Sequence, residues 1–246
     1  MNDERDKFIL SLDIGGMFLS WSGVVLGVLF AVSDYYVDLE TALSLGGTAT
    51  LLHFYMARGG KVSLLLSVAG AVLTAYLSFG KILMLESLLL LLFGYFIIRL
   101  AKGGRGSSRV MSSVLDFLLY GPIAVYGAYF VCTHTFASWV FLFPSFSIGL
   151  LCLGVRRLET SYDKKFSAAM ICLGVLFMVG FTFLRMYAPS HFMFMFAMPL
   201  LILLMVALFL YKQEDMYVFR LLFSAMVFTF AFFAGIGFLD IAFTTV

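Results

Sequence analysis

The sequence predicts an all-α fold, a polytopic transmembrane bundle of about nine helices, on three observations. Hydrophobic residues make up 63% of the 246-residue chain and charged residues only 12%, with a mean hydropathy of +1.05. Its apolar residues fall into runs long enough to cross a bilayer. The basic residues between those runs keep to alternate connections. A water-soluble domain of this length needs far more charge to cover its surface, so most of the apolar surface faces lipid.

A hydrocarbon core of about 30 Å takes about 20 apolar residues in helical form. Polar residues, glycine and proline divide the chain into nine such runs, near 16–33, 41–57, 62–79, 82–100, 113–133, 137–155, 166–187, 190–211 and 217–242. The backbone must satisfy its own hydrogen bonds in lipid, so each run is helical. Runs such as Leu88 to Leu92 are apolar on every face, without the alternation of a barrel strand. The hydrophilic MNDERDKF start gives a short cytoplasmic segment over 1–15. No small-residue cleavage site follows the first run, which is therefore a retained helix. No soluble domain fits between the runs, and residues 1–246 form a single transmembrane domain.

Charge placement sets the orientation. With the N-terminus in the cytoplasm and sides alternating, 14 of the 16 Lys and Arg residues fall on the cytoplasmic side, and only Lys81 and Arg185 fall outside. The acidic connection SDYYVDLE, without Lys or Arg, also falls outside. This is the positive-inside pattern, and it leaves the C-terminus outside. The formal net charge of +2 gives no electrostatic footprint for nucleic acid.

The candidates for chemistry are few. Cys132, Cys152 and Cys172 lie inside apolar runs with no CxxC pair, as small core or lipid-facing residues. Glu86, Asp116 and Asp240 sit near helix ends, where a carboxylate is either solvated or paired with Lys or Arg. A transporter is expected to carry acidic residues at helix centres and broken helices in paired positions, and neither is evident. The richest polar stretch is VRRLETSYDKK, Val155 to Lys165. Glu159 and Asp163 are four apart, so a helix extended through them would put both carboxylates on one face, able to share a divalent cation. Arg156, Arg157, Lys164 and Lys165 would suit a phosphate. An ordinary basic loop with i,i+4 ion pairs explains the same residues. In LLHFYMARGGK, His53 stands as an interfacial side chain beside Arg58 and Lys61, and Gly59-Gly60 forms the turn. The Phe- and Met-rich HFMFMFAMPLLILLM is either lipid-facing surface or the wall of a tunnel for an isoprenoid chain.

Several segments, in order, resemble the UbiA prenyltransferase superfamily, and most of all the 1,4-dihydroxy-2-naphthoate prenyltransferases of menaquinone synthesis. LDFLLYGPIAVYGAYFVCT is similar to the family's fifth helix, through Gly121, Pro122, Gly127, Tyr129 and Phe130. FGYFIIRLAKGG is similar to the end of its fourth helix and SGVVLGVLFA to its first. PSFSIGLLCLGVRRLETSYD resembles its sixth helix running into the second acidic motif. The resemblance implies a nine-helix layout and the transfer of an isoprenoid chain from a prenyl diphosphate to an aromatic, quinone-precursor acceptor. It implies Mg2+ held by Glu159 and Asp163, with Arg58, Lys61, Lys102, Arg156, Arg157 and Lys164 binding the diphosphate, in a bacterial inner membrane. The first acidic motif is degenerate: His53 falls on its Asn, and Phe54 and Ala57 stand where carboxylates belong. Two expectations follow, an active prenyltransferase or a catalytically silent relative that binds an isoprenoid, a quinone-like lipid or a protein partner in the membrane.

Overall fold

The computed structural model of the protein describes residues 2–34, 37–58, 61–79, 109–161, 164–184 and 216–244, together with positions 202, 203 and 206. The described elements are all helical, in seven rods, and no described residue lies in a strand. These are α1 (Asn2–Asp34), α2 (Leu39–Arg58), α3 (Lys61–Phe79), a composite rod, α6 (Leu142–Ser161), α7 (Lys164–Leu184) and α8 (Met216–Thr244). The composite rod joins α4 (Arg109–Leu118) to α5 (Ala124–Thr133) through a π-turn at Leu119–Ile123. The expected helices at 82–100 and 190–211 lie outside the described residues, apart from three helical positions in the second.

Three elements depart from the hydropathy reading, each for a physical reason. The polar start, expected as a segment outside the helix, belongs to α1 from Asn2 onward. Its acidic residues Asp3, Glu4 and Asp6 suit the positive end of the helix dipole, and Asp3 and Lys7 have i,i+4 spacing. α6 follows a 3-10 turn at Trp139–Phe141 and runs past Val155 through the charged RRLETS to Ser161. The fifth run is interrupted by its π-turn around Pro122, a residue that lacks the N–H an α-turn requires and whose ring crowds the preceding turn.

α1 forms the axis of the bundle, packed against α8, α5 and α2. Leu19, Leu26 and Phe30 of α1 are buried with Tyr129, Ile148, Leu151, Phe223 and Phe230 in one apolar core. Phe30 stacks on Phe141 at 4.4 Å between centroids. Small residues let the backbones approach: a Cβ on Gly23 would stand 2.5 Å from the Tyr120 carbonyl oxygen, and one on Gly121 2.5 Å from that of Ser145. Hydroxyl groups join neighbouring helices, as small polar residues do between membrane helices. Thr48 meets Thr74 at 2.9 Å, Ser67 donates to the Leu51 carbonyl at 2.9 Å, and Ser147 donates to that of Gly174 at 2.7 Å.

These contacts fix the direction of every described rod. Trp21 bonds Thr50 while Gly46 also faces Trp21 and Gly16 faces His53, so α1 and α2 are antiparallel. The same test makes α2 and α3, α4–α5 and α6, and α6 and α7 antiparallel, whereas α1, α4–α5 and α8 run parallel. One end of the bundle therefore collects the starts of α1, α3, α4, α7 and α8 and the ends of α2 and α6. Every Lys and Arg among the described residues lies towards this basic end. Asp34, Asp38 and Glu40 lie at the other. Among the described residues two stretches, Ile14–Val32 and Ser113–Thr133, are long and apolar enough to cross a membrane.

Candidate functional site

Two features meet near the basic end, a charged cluster between α4 and α6 and an apolar cleft between α1, α2 and the composite rod. Asp116 and Tyr120 are one helical turn apart, so they share a face of the rod. Arg156, one residue beyond the apolar part of α6, reaches that face. Its Nε lies 3.4 Å from Asp116 Oδ2, its Nη1 donates to the Tyr120 hydroxyl, and its Cζ is 5.2 Å from the Tyr120 ring centroid. Arg157 donates to the Ser113 hydroxyl a turn below. Of the two sequence expectations for Asp116, solvation or pairing with a basic residue, the structure selects pairing.

Tyr120 is 5% exposed and begins the second half of the site. It lines a cleft of about 320 Å3 with Ser20 and Val24 of α1, Leu45 and His53 of α2, and Phe130 and Val131 of α5 among its walls. That volume is at the lower end of the roughly 300–1,000 Å3 of small-molecule sites. Among the described residues the walls are overwhelmingly apolar and carry no Asp, Glu, Lys or Arg. Gly127 also lines the cleft, and a Cβ built there meets nothing within 4 Å. The π-turn matters for this geometry. By shifting register between Tyr120 and Val125 it lets the rod present Tyr120 to Arg156 while Val125, Ala128 and Tyr129 stay buried.

His53, expected at an interface with water, is instead 8% exposed, because Gly16 leaves room on α1 for its ring. Phe54 is half-buried beside it, with ring centroids 6.0 Å apart. Ala57 and Arg58 belong to the last turn of α2 and Glu159 to the end of α6, with their side chains outside the described set. Asp163 and Lys102 lie outside the described residues, as does Glu86; of Asp240 only the helical backbone is described. Lys61 and Lys164 are exposed at the first positions of α3 and α7. The structure brings together Arg156 and Arg157, and the partners it gives them, Ser113, Asp116 and Tyr120, were not singled out as a set. Their signal was the spacing 113, 116, 120 on one helix face.

The carboxylates expected to hold magnesium, Glu159 and Asp163, lie outside the described side chains. Among the described residues no group of three or more His, Cys, Asp or Glu side chains could hold a metal, and Asp116 is engaged by Arg156. His53, Phe54 and Ala57 supply no carboxylate to a cation that needs oxygen ligands in near-octahedral array. Cys152 is buried, its Sγ donating to the Leu19 carbonyl at 3.8 Å, and Cys132 and Cys172 are half-buried. No family model, no curated protein and no solved structure matches this chain.

Proposed function

We propose that the chain is a nine-helix membrane protein of UbiA-like plan that holds an isoprenoid-tailed, quinone-like lipid in the cleft between α1, α2 and α4–α5, as a binding subunit rather than a prenyltransferase. The observation that carries this is the cleft itself: a cavity with apolar walls, set beside a basic end whose Arg156 is already taken up by Asp116 and Tyr120. A diphosphate-ionising site needs cations and carboxylate-bound metal converging on an open chamber, and the described carboxylates do not supply it. Exposed Leu65, Leu66, Leu73 and Leu176, with hydroxyls bonded back to their own helices at Ser22, Thr50 and Thr229, support a lipid surround. The gathering of the described Lys and Arg at one end is what the positive-inside rule expects of a cytoplasmic N-terminus.

Trp21 and Trp139 are the two tryptophans, which offers a direct test. In lipid nanodiscs, with Trp139→Phe leaving Trp21 as reporter, a prenylated naphthoquinone should quench the fluorescence saturably. Gly127→Leu, which fills the cleft without a clash at Cβ, should abolish that saturable phase. Linear quenching that is the same in both proteins would overturn the reading. So would prenyl transfer to dihydroxynaphthoate by the purified protein supplied with magnesium and a labelled prenyl diphosphate.

A further inference from the structure

Between α5 and α6 the chain reverses over residues 134–141, at the end of the bundle away from the described Lys and Arg. Hydrogen bonds hold this turn in shape. His134 is left-handed, with φ 57°, and its N–H donates to the Phe130 carbonyl at 2.8 Å. The Thr135 N–H donates to the Thr133 hydroxyl at 3.2 Å, and the Tyr126 hydroxyl donates to the Ser138 carbonyl at 3.0 Å. The turn so fixed presents two rings outward, Phe136 at 87% exposure and Trp139 at 69%. Each is steadied by a neighbour, Phe136 lying 5.1 Å from Phe130 and Trp139 6.4 Å from Phe143, centroid to centroid. That much aromatic surface is unfavourable in bulk water.

We propose that the turn is an interfacial anchor, its Phe136 and Trp139 rings lodged in the lipid head-group layer on the side away from the basic end. This rests on the membrane reading proposed above and is independent of the cleft. Tryptophan joins a large apolar ring to one N–H donor, and for that reason it collects at the boundary between lipid and water. The apolar stretch Ser113–Thr133 stops where the turn begins. Helix length sets the same level. Asp116 and Thr133 are 17 residues apart along the composite rod, and Trp139 and Arg156 are 17 apart on the way down α6. At 1.5 Å per residue each separation is about 26 Å, close to the roughly 30 Å of a hydrocarbon core. Asp116 meets Arg156, so the antiparallel rods measure one layer, bounded by the ion pair on one side and the aromatic turn on the other.

The test is depth-dependent quenching of tryptophan fluorescence in phosphatidylcholine nanodiscs whose lipids carry bromine either near the head group or near the chain ends. Trp139 is read as the difference between the unaltered protein and Trp139→Phe, which changes one exposed ring for another and keeps Trp21. The lipid brominated near its head group should quench Trp139 about twofold more than the lipid brominated near its chain ends, as a ring at the boundary requires. Trp21, near the middle of the stretch Ile14–Val32, should show no such preference for the head-group bromine. Stronger quenching of Trp139 from the chain ends overturns the anchor and leaves the membrane reading standing. So does quenching of Trp139 by aqueous iodide alone while Trp21 responds to brominated lipid, the result expected of a turn that waits in water for a protein partner. Quenching of neither tryptophan by either lipid overturns both.

Discussion

Asp116 and Arg156 meet at 3.4 Å across the packing of α4 on α6, with side-chain exposures of 13% and 29%. The pair holds together the end of the bundle where the charged cluster and the apolar cleft share Tyr120. One guanidinium is thus tied by a carboxylate, a hydroxyl and a ring face.

Breaking this pair should be costly and repairing it cheap. Asp116→Ala leaves a partly buried cation without its carboxylate, and the fully buried figure of about 3–5 kcal/mol falls to about 1–3 kcal/mol because Arg156 reaches solvent. The double variant Asp116→Leu, Arg156→Met should recover most of that loss. Thermal unfolding followed with a thiol-reactive dye reports it directly, because buried Cys152 becomes reactive when the bundle opens.

The glycines of the close-packed helices should differ sharply from those of the cleft. Gly23→Ala puts a methyl 2.5 Å from the Tyr120 carbonyl oxygen and 2.6 Å from Ala124 Cβ, and α1 must shift. Gly121→Ala meets Ser145 and Gly149 backbone at 2.5 and 2.7 Å. Each should destabilise by about 1–3 kcal/mol. Gly127→Ala, with open space in front of it, should stabilise its helix by about 0.5–1 kcal/mol. The same unfolding measurement ranks the three, and equal effects would show that these helices do not approach as described.

The bend at the π-turn should survive loss of its proline. Gly121 is locked against α6, Tyr120 is buried within the turn and Val125 just beyond it, so packing holds the extra residue in place. Pro122→Ala should therefore change stability by less than about 1 kcal/mol, far less than Pro costs in a regular helix interior. Binding of the naphthoquinone probe should be unchanged. Loss of binding with retained stability would mean that proline itself sets the cleft.

Hydropathy carries a good deal of this architecture and misses specific parts of it. The expected runs 41–57 and 62–79 differ from Leu39–Arg58 and Lys61–Phe79 by at most two residues at any end, because apolar length and charged punctuation coincide there. The helical stretches 2–15 and 156–161 are charged, and a scale that rewards apolarity passes over them. The π-turn changes register without changing composition, so no run of apolar residues marks it. Burial of His53 depends on Gly16, and pairing of Asp116 depends on Arg156. Both are contacts between distant positions, where spacing along one helix says nothing about the partner on another.

Orientation gives a final prediction, independent of any ligand. Asp38 and Phe136 are exposed at the end opposite the basic residues, while Lys61 and Lys164 are exposed at the basic end. In a background with Cys132, Cys152 and Cys172 replaced by Ala, single cysteines at these four positions can be treated in intact cells with a membrane-impermeant maleimide. Cysteines replacing Asp38 and Phe136 should label from outside, and those replacing Lys61 and Lys164 only after the membrane is opened, as positive-inside placement requires. The inverse pattern would reverse the orientation while keeping the bundle. Labelling of all four in intact cells would contradict the membrane reading itself, because two ends of one bundle separated by a bilayer cannot share an aqueous compartment.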